Sequence, residues 1–486
     1  MAGNTLAIVL AAGKGTRMRS RTPKVLHKVG GLPMIEHVLA AANEAGVTRT
    51  VLVVAPDSEW VDALPDAPRA FVQDPPQGMA HAVLAAREAF AATPEAVVVL
   101  YGDNPLITPQ SIARALDAVR GGADVAVVAF RTDAPTGYGR VLMDDGQVVA
   151  IREEADASSA EKAVTLCNSG VMAIAGGAPL AALDEIGAAN AKGEYYLTDL
   201  VGLARDAGLM VGAHLLEDVV QTEGANDRAQ LAGLGRLLND RVVERWMREG
   251  VTVVDPATTW IDVGVELERD VTILPGTQLL GSTSVGEDSV VGPDSTLRDC
   301  RVGRSATLTR VHGDSAEIGD GASVGPYSYL RPGTRLGADG KIGGFVETKN
   351  AVIGDGAKVP HLSYIGDAEI GEGTNIGAGT ITANYDGVAK HRTVVGKHAR
   401  TGSNNTFVAP TTIGDGASTG GGTVVRGDVP PGALAVSSGP MRVIDGWAED
   451  KRAGTAQGEA AAAARRTSDD HDVTDPSSQP PARDLG

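Results

Sequence analysis

Hydrophobic positions change their spacing three times along this chain. Up to about residue 228 they come as short, nearly continuous runs: LAIVL, TVLVVA, AVVVLYGD and DVAVVAF. Between the runs lie stretches with three- and four-residue spacing, such as Met34 to Ala45. Buried-type strands alternating with helical patterns predict an α/β domain, a parallel sheet with helices on both faces. From about Asp227 to Glu249 the period becomes purely helical. Leu231, Leu234, Leu238, Val242 and Trp246 form one apolar stripe, predicting a linker helix packed on a neighbouring domain.

The third pattern is a hexad. From about Val285 to Val424 the chain reads VGEDSV, VGPDST, VGRSAT, IGDGAS, IGDGAK, IGEGTN, IGAGTI and IGDGAS. An aliphatic residue opens each unit, Gly follows, and a small residue usually holds the fifth place. A hexapeptide period predicts a parallel β-helix, in which each coil buries its face only by stacking on the next. The period breaks at about Tyr327 to Val352 and at Thr382 to Thr393, and insertions in a solenoid often carry the site. These patterns divide the chain into residues 1–228, a linker helix at 229–250, a β-helix at 251–447 and a tail at 448–486. The tail is rich in Ala, Ser, Pro and Asp without apolar period, and is expected to be disordered.

Composition narrows the partners. The formal net charge is −18, which argues against nucleic acid but leaves room for a local basic pocket. Two distant cysteines, Cys167 and Cys300, imply no disulfide framework and fit a reducing cytoplasm. The run Leu6 to Ala12 is too short to span a membrane, so none is expected as a partner.

Candidate chemistry begins after the first run. LAAGKGTRM places Gly13 and Gly15 behind a strand, with Arg17 nearby and Lys24 following. Such glycines turn backbone N–H groups toward an anion, and the cations can neutralise phosphate. No GK[ST] tail is present, so this is not a Walker A loop. Asp103, in YGDNP, ends an apolar strand at the rim where open α/β sheets bind ligands, and a carboxylate there suits Mg²⁺. Together they point to nucleotidyl transfer.

LAAGKGTRM, TPK, YGD, TGYGR, CNSG, GEYYLTD and EGAND resemble the motifs of sugar-nucleotide pyrophosphorylases. Joined to a hexapeptide β-helix, they are similar to the bifunctional family that acetylates glucosamine-1-phosphate and then uridylylates it to UDP-N-acetylglucosamine, a precursor for peptidoglycan and the cell envelope. The resemblance covers about residues 4 to 447. It implies a Rossmann-like nucleotidyltransferase domain followed by a left-handed parallel β-helix that assembles as a homotrimer, with UTP and acetyl-CoA as substrates and Mg²⁺ as cofactor. It places the nucleotide on Leu10, Ala11, Ala12, Gly13, Gln73, Gly78, Met79, Tyr101, Gly102 and Asp103. Arg17 and Lys24 serve the phosphates, Asp103 and Asn226 hold the metal, and Gly139, Glu153, Asn168 and Asn226 bind the sugar phosphate. Met79 departs from the family pattern, which usually has Thr there.

In the β-helix, His361 lies in VPHLSYIGD as the hexad is about to resume. A sugar amine is mostly protonated near neutral pH, only the free amine attacks a thioester, and an imidazole of ordinary pKa about 6.5 can take the proton. The resemblance implies that role for His361. It assigns Arg331, Lys349, Tyr364, Asn375 and Asn384 to the acceptor, and Ala378, Tyr385, Ser403 and Gly421 to acetyl-CoA. Gly421 stands where Ala is common, and Ser438 where many members carry an Arg; Arg442 follows four residues later.

Overall fold

A computed structural model describes residues 4–437, 439 and 441–472. Residues 5–215 build a sheet whose strands are β1 (Thr5–Ala11), β2 (Arg49–Val54), β3 (Arg69–Val72), β4 (Ala96–Tyr101), β5 (Val125–Arg131), β6 (Arg140–Asp144), β7 (Gln147–Arg152), β8 (Leu166–Ala175) and β9 (Val211–Leu215). Their order is β9-β5-β8-β4-β1-β2-β3, with the β6–β7 hairpin joined to β8. β1 alternates its side chains between two cores. Leu6 and Ile8 face the layer of helices α2 (Met79–Ala85) and α4 (Asp199–Asp206), while Ala7 and Val9 face α1 (Met34–Glu44) and α3 (Pro109–Arg120). The expectation of a purely parallel sheet is corrected here. β8 runs antiparallel to both β4 and β5, so the sheet is mixed. The reason lies in the connection: β8 is reached through the β6–β7 excursion rather than through a crossover helix, which a parallel neighbour needs.

Helix α5 (Arg228–Arg248) follows. Asp227 caps it by accepting from the Gln230 N–H at 2.8 Å, and the Gln230 side chain accepts in return from the Asn226 N–H at 2.7 Å. Leu234, Leu238, Val242 and Trp246 are buried in one continuous core with Val29, Met34 and the first coils of the β-helix. α5 therefore joins the two halves by packing as well as by connectivity.

Residues 252–435 wind into a three-sided stack of parallel strands, consistent with a left-handed β-helix. Equivalent residues of successive coils lie opposite each other, as in Thr272, Val290, Thr307, Ser323, Lys341 and Lys358 on one face. The aliphatic residues beside them (Ile273, Val291, Leu308, Val324, Ile342 and Val359) all point inward and are buried. Many small polar residues are buried too, and several are satisfied by a carbonyl at their own corner. Thr277 donates to the Leu274 carbonyl, Thr334 to that of Arg331 and Thr380 to that of Gly377, each at 2.7 Å.

The tail departs from expectation. α6 (Trp447–Lys451) and α7 (Ala456–Asp472) are helical and pack on each other. Arg465 of α7 pairs with Glu449 and Asp445 near α6. The alanine run 460–464 explains the difference, because Ala has the highest helix propensity of any residue. The rest of the tail expected to be disordered, 473–486, lies outside the described residues.

Candidate functional sites

At the carboxyl ends of β1 and β4 a cavity of about 260 Å³ opens. Leu10, Ala11, Ala12, Gly13, Lys24, Gln73, Gly78, Met79, Tyr101 and Asp103 all line it, so the structure gathers nearly the whole nucleotide set in one place. Gly102 lies just beneath, its N–H bonded to the Leu10 carbonyl at 2.9 Å. Gln73 donates to the Gly78 carbonyl at 3.0 Å, and the Tyr101 phenol donates to Met79 Sδ. Arg17 sits on the exposed 3₁₀ turn Thr16–Met18 at the rim, outside the lining.

Lys24 ties the floor together. Its ammonium pairs with the Asp103 carboxylate and donates to Asn226 Oδ1 at 2.8 Å. One carboxylate and one amide oxygen thus already share a cation, and such hard oxygen donors suit Mg²⁺. The cap of α5 holds Asn226 in place, and Arg228, two residues on, reaches the Met18 carbonyl at 3.4 Å. The linker helix therefore fastens both the Asn226 side and the Arg17 side of the loop.

The sugar-phosphate candidates form the adjoining wall. The Asn168 N–H donates to the Gly139 carbonyl at 2.8 Å, and Glu153 accepts from Thr198 Oγ1 at 3.0 Å. Burial holds the Glu153 carboxyl above its ordinary range. The Tyr101 phenol is also raised, first by burial and then by the charges of Glu153 and Asp103. Tyr101 thus stands between the cavity and the adjoining wall.

The second cluster is on the β-helix, at the corner between two faces. Backbone bonds stack the corner residues coil over coil: the His361 carbonyl accepts from Gly379 (3.2 Å), that of Ala378 from Asn404 (2.6 Å), and that of Ser403 from Gly422 (2.8 Å). His361, Ala378, Ser403 and Gly421 consequently form one column. On the adjoining face Glu347 and Tyr364 lie opposite each other, as do Lys349 and Gly366. Arg331 bonds to Glu347 at 2.9 Å, Lys349 lies 3.7 Å from Asp367, and Asn384 donates to Asp367. Asn375 is not brought to this face. It lies between Lys358 and Arg400 on the preceding one. Tyr385 projects from the exposed loop that follows, its hydroxyl donating to the Gly387 carbonyl at 2.7 Å. Arg442 is exposed, and Ser438 lies outside the described residues.

Sequence reading missed Lys390. The loop folds it back so that Lys349 beside it pushes the Lys390 amine below its ordinary range. The same loop is stapled by Asp386, which accepts from the Ala389 and Val388 N–H groups and meets His391 Nε2 at 2.7 Å. The insertion in the hexad marked this loop, but the approach of two lysines 41 positions apart needs the coil geometry.

Residues 7–191 match the family described as MobA-like NTP transferase domain. "Bifunctional protein GlmU" of Rhodococcus jostii (strain RHA1) is 53% identical over 485 residues, spanning 96% of this chain and 97% of the relative. The chain belongs to the GlmU family. GlmU proteins of Kineococcus radiotolerans (53% over 460 residues, 93% and 94% covered) and Corynebacterium efficiens (48% over 474, 96% and 98%) agree over nearly their full lengths. GlmU likeness therefore extends across the cavity, α5 and the corner column alike. Among the described residues no helix is long and apolar enough to cross a membrane.

Proposed function

We propose that this chain is a bifunctional enzyme of UDP-N-acetylglucosamine synthesis. It N-acetylates glucosamine-1-phosphate with acetyl-CoA, then transfers uridylyl from UTP to N-acetylglucosamine-1-phosphate and releases pyrophosphate. The observation that carries this reading is the presence of two separate clusters, a cavity at the sheet rim and the corner column that begins at His361 on the β-helix.

In the first, Leu10 to Gly13, Gln73 and Gly78 hold the uridine end, and Lys24 and Arg17 neutralise the phosphates. Gly139, Glu153 and Asn168 hold the sugar so that its phosphate oxygen faces the α-phosphorus. Such transfer needs mainly positioning and charge neutralisation. Asp103 and Asn226 would hold Mg²⁺, which when bound neutralises phosphate charge. In the second cluster His361 takes the proton of the sugar ammonium, and the free amine attacks the thioester carbon of acetyl-CoA; the C–S bond then breaks, and coenzyme A leaves as the thiol, its sulfur taking up the proton that the attacking nitrogen loses. Arg331 and Lys349 attract the sugar's phosphate, with Tyr364 and Asn384 beside them. Ala378, Tyr385, Ser403 and Gly421 lie along the coenzyme.

The β-helix assembles as a homotrimer in this reading. Exposed Tyr327, Phe345 and Leu362 at the same corner support it, as does the place of Asn375 on a different face from Arg331. The test is a crossed pair of variants. His361→Ala should abolish acetyl transfer and spare uridylyl transfer, and Asp103→Ala should do the reverse. Loss of both activities in one folded variant would contradict two independent sites.

A further inference from the structure

Arg140 is 1% exposed, the largest fully buried side chain among the described residues, and no step above uses it. It pairs with Glu154 at 2.6 Å and donates to the Tyr138 and Lys162 carbonyls, the latter at 3.4 Å. Its position in the chain is telling. Arg140 follows Gly139, Glu154 follows Glu153, and Cys167, opposite Arg140 in register, precedes Asn168. Gly139, Glu153 and Asn168 thus each have an immediate chain neighbour in the Arg140 cluster. The Cys167 thiol reports the same proximity: burial raises it first, and it also feels the charges of Arg140 and Glu154. The wall is internally tight as well, since a Cβ on Gly139 would lie 3.3 Å from Glu153 Oε1.

We propose that Arg140 is a positioning residue for the amino-sugar half of the uridylyl site, an inference that rests on the function proposed above. Its planar, permanently charged fork bridges the turn before β6, the segment after β7 and the short helix ending at Lys162. That bridge sets the separation of Gly139 and Glu153, and hence the width of the slot for the sugar. A lysine directs its three donors from a single nitrogen and lacks the span of the fork, whose two terminal nitrogens meet Tyr138 on one side and Lys162 and Glu154 on the other. Because the nucleotide contacts lie on other segments, the effect is confined to one of the two substrates.

The test uses the full chain, N-acetylglucosamine-1-phosphate, UTP and Mg²⁺, with acetyl transfer measured on the same preparations. Arg140→Lys and Glu154→Gln should each raise KM for the sugar phosphate by about tenfold or more, as expected when a binding group shifts by a fraction of an ångström. KM for UTP and the acetyl transfer rate should stay within about twofold, and preference for the N-acetylated over the free amino sugar should fall. Glu154 is partly exposed and its amide keeps the shape, so Glu154→Gln decides the matter should Arg140→Lys not fold. An unchanged sugar-phosphate KM in the folded variants, or a parallel rise for both substrates, would overturn the proposal. Failure of the unmodified chain to make the nucleotide sugar would instead overturn the function on which it rests.

Discussion

Gly170→Ala should disable uridylyl transfer through a residue that does not line the cavity. Gly170 has φ +88°, a region that L side chains rarely adopt, and a Cβ built there would sit 2.1 Å from Tyr101 Cε2. Two costs follow. The backbone conformation costs about 1–2 kcal/mol in a non-glycine residue, and forcing an aromatic ring out of a packed position costs about 1–3 kcal/mol. Taken together at about 3 kcal/mol, the loss lowers the first thermal transition by roughly 6–12 °C, at about 2–4 °C per kcal/mol for a domain of this size. Activity should suffer more than stability. Tyr101 lines the cavity and bonds Met79 across it, so a ring displaced by about 1 Å should reduce kcat/KM for UTP by about 10²-fold. Gly46→Ala separates the two costs. Gly46 has φ +79° with nothing near its would-be Cβ, so that variant carries backbone strain alone and should keep full activity. Melting curves and initial rates of pyrophosphate release, with acetyl transfer as an internal control, make the comparison. A Gly170→Ala enzyme with both the Tm and the UTP kinetics of the parent would refute the argument.

Other outcomes can be checked directly. The Glu153 carboxyl is raised by burial, so it takes up a proton at higher pH than an exposed glutamate. A raised carboxyl opposes folding when ionised and ceases to as pH falls through its folded pKa. The acid limb of kcat/KM for the sugar phosphate should therefore lie above the ordinary glutamate range and vanish in Glu153→Gln; an unmoved limb in that variant would exclude Glu153. Lys24→Met should cut uridylyl transfer by about 10²–10³-fold, on the scale of losing one charge-stabilising donor, with acetyl transfer intact; a loss under tenfold would remove Lys24 from the phosphate site. Mixing His361→Ala and Asn375→Ala chains under conditions that exchange subunits should restore part of the acetyl transfer that each lacks alone. No recovery after verified exchange would place both residues in a site within one chain.

What could be read beforehand followed from periodicity, and what could not followed from convergence. The hexad told which residues point inward, because only an aliphatic side chain fits at Ile273, Val291 or Val359, and the stripe on α5 told which face Leu234 and Trp246 bury. The direction of β8 was not readable. Direction depends on how the chain returns to the sheet, and the β6–β7 excursion leaves no period of its own. Arg140 closes the motif TGYGR, which carries the family resemblance but gives no sign of burial, and only the fold shows that its arginine is sealed inside. Composition misled at α7, where Ser, Pro and Asp around it outweighed a run of five alanines.

The two sites also differ in how a fold can make them. An open sheet ends in a concave rim, so residues from β1, β4 and the N-terminus of α2 converge on one cavity within a single chain. A three-sided prism is convex everywhere. Stacking can align His361, Ala378, Ser403 and Gly421 into a straight column beside a face bearing Arg331, Lys349 and Tyr364, but it cannot wrap that face around a sugar. Asn375, one face away, shows the limit most plainly. The insertion carrying Tyr385 and Lys390 adds one wall to the convex edge, and in the proposed homotrimer a second prism laid against the same corner would supply the opposing one. The exposed Tyr327, Phe345 and Leu362 stand where such a neighbour would meet it. In the proposed homotrimer, the same hexad that makes the scaffold regular would make acetyl transfer depend on assembly, whereas the cavity at the sheet rim is lined from within one chain.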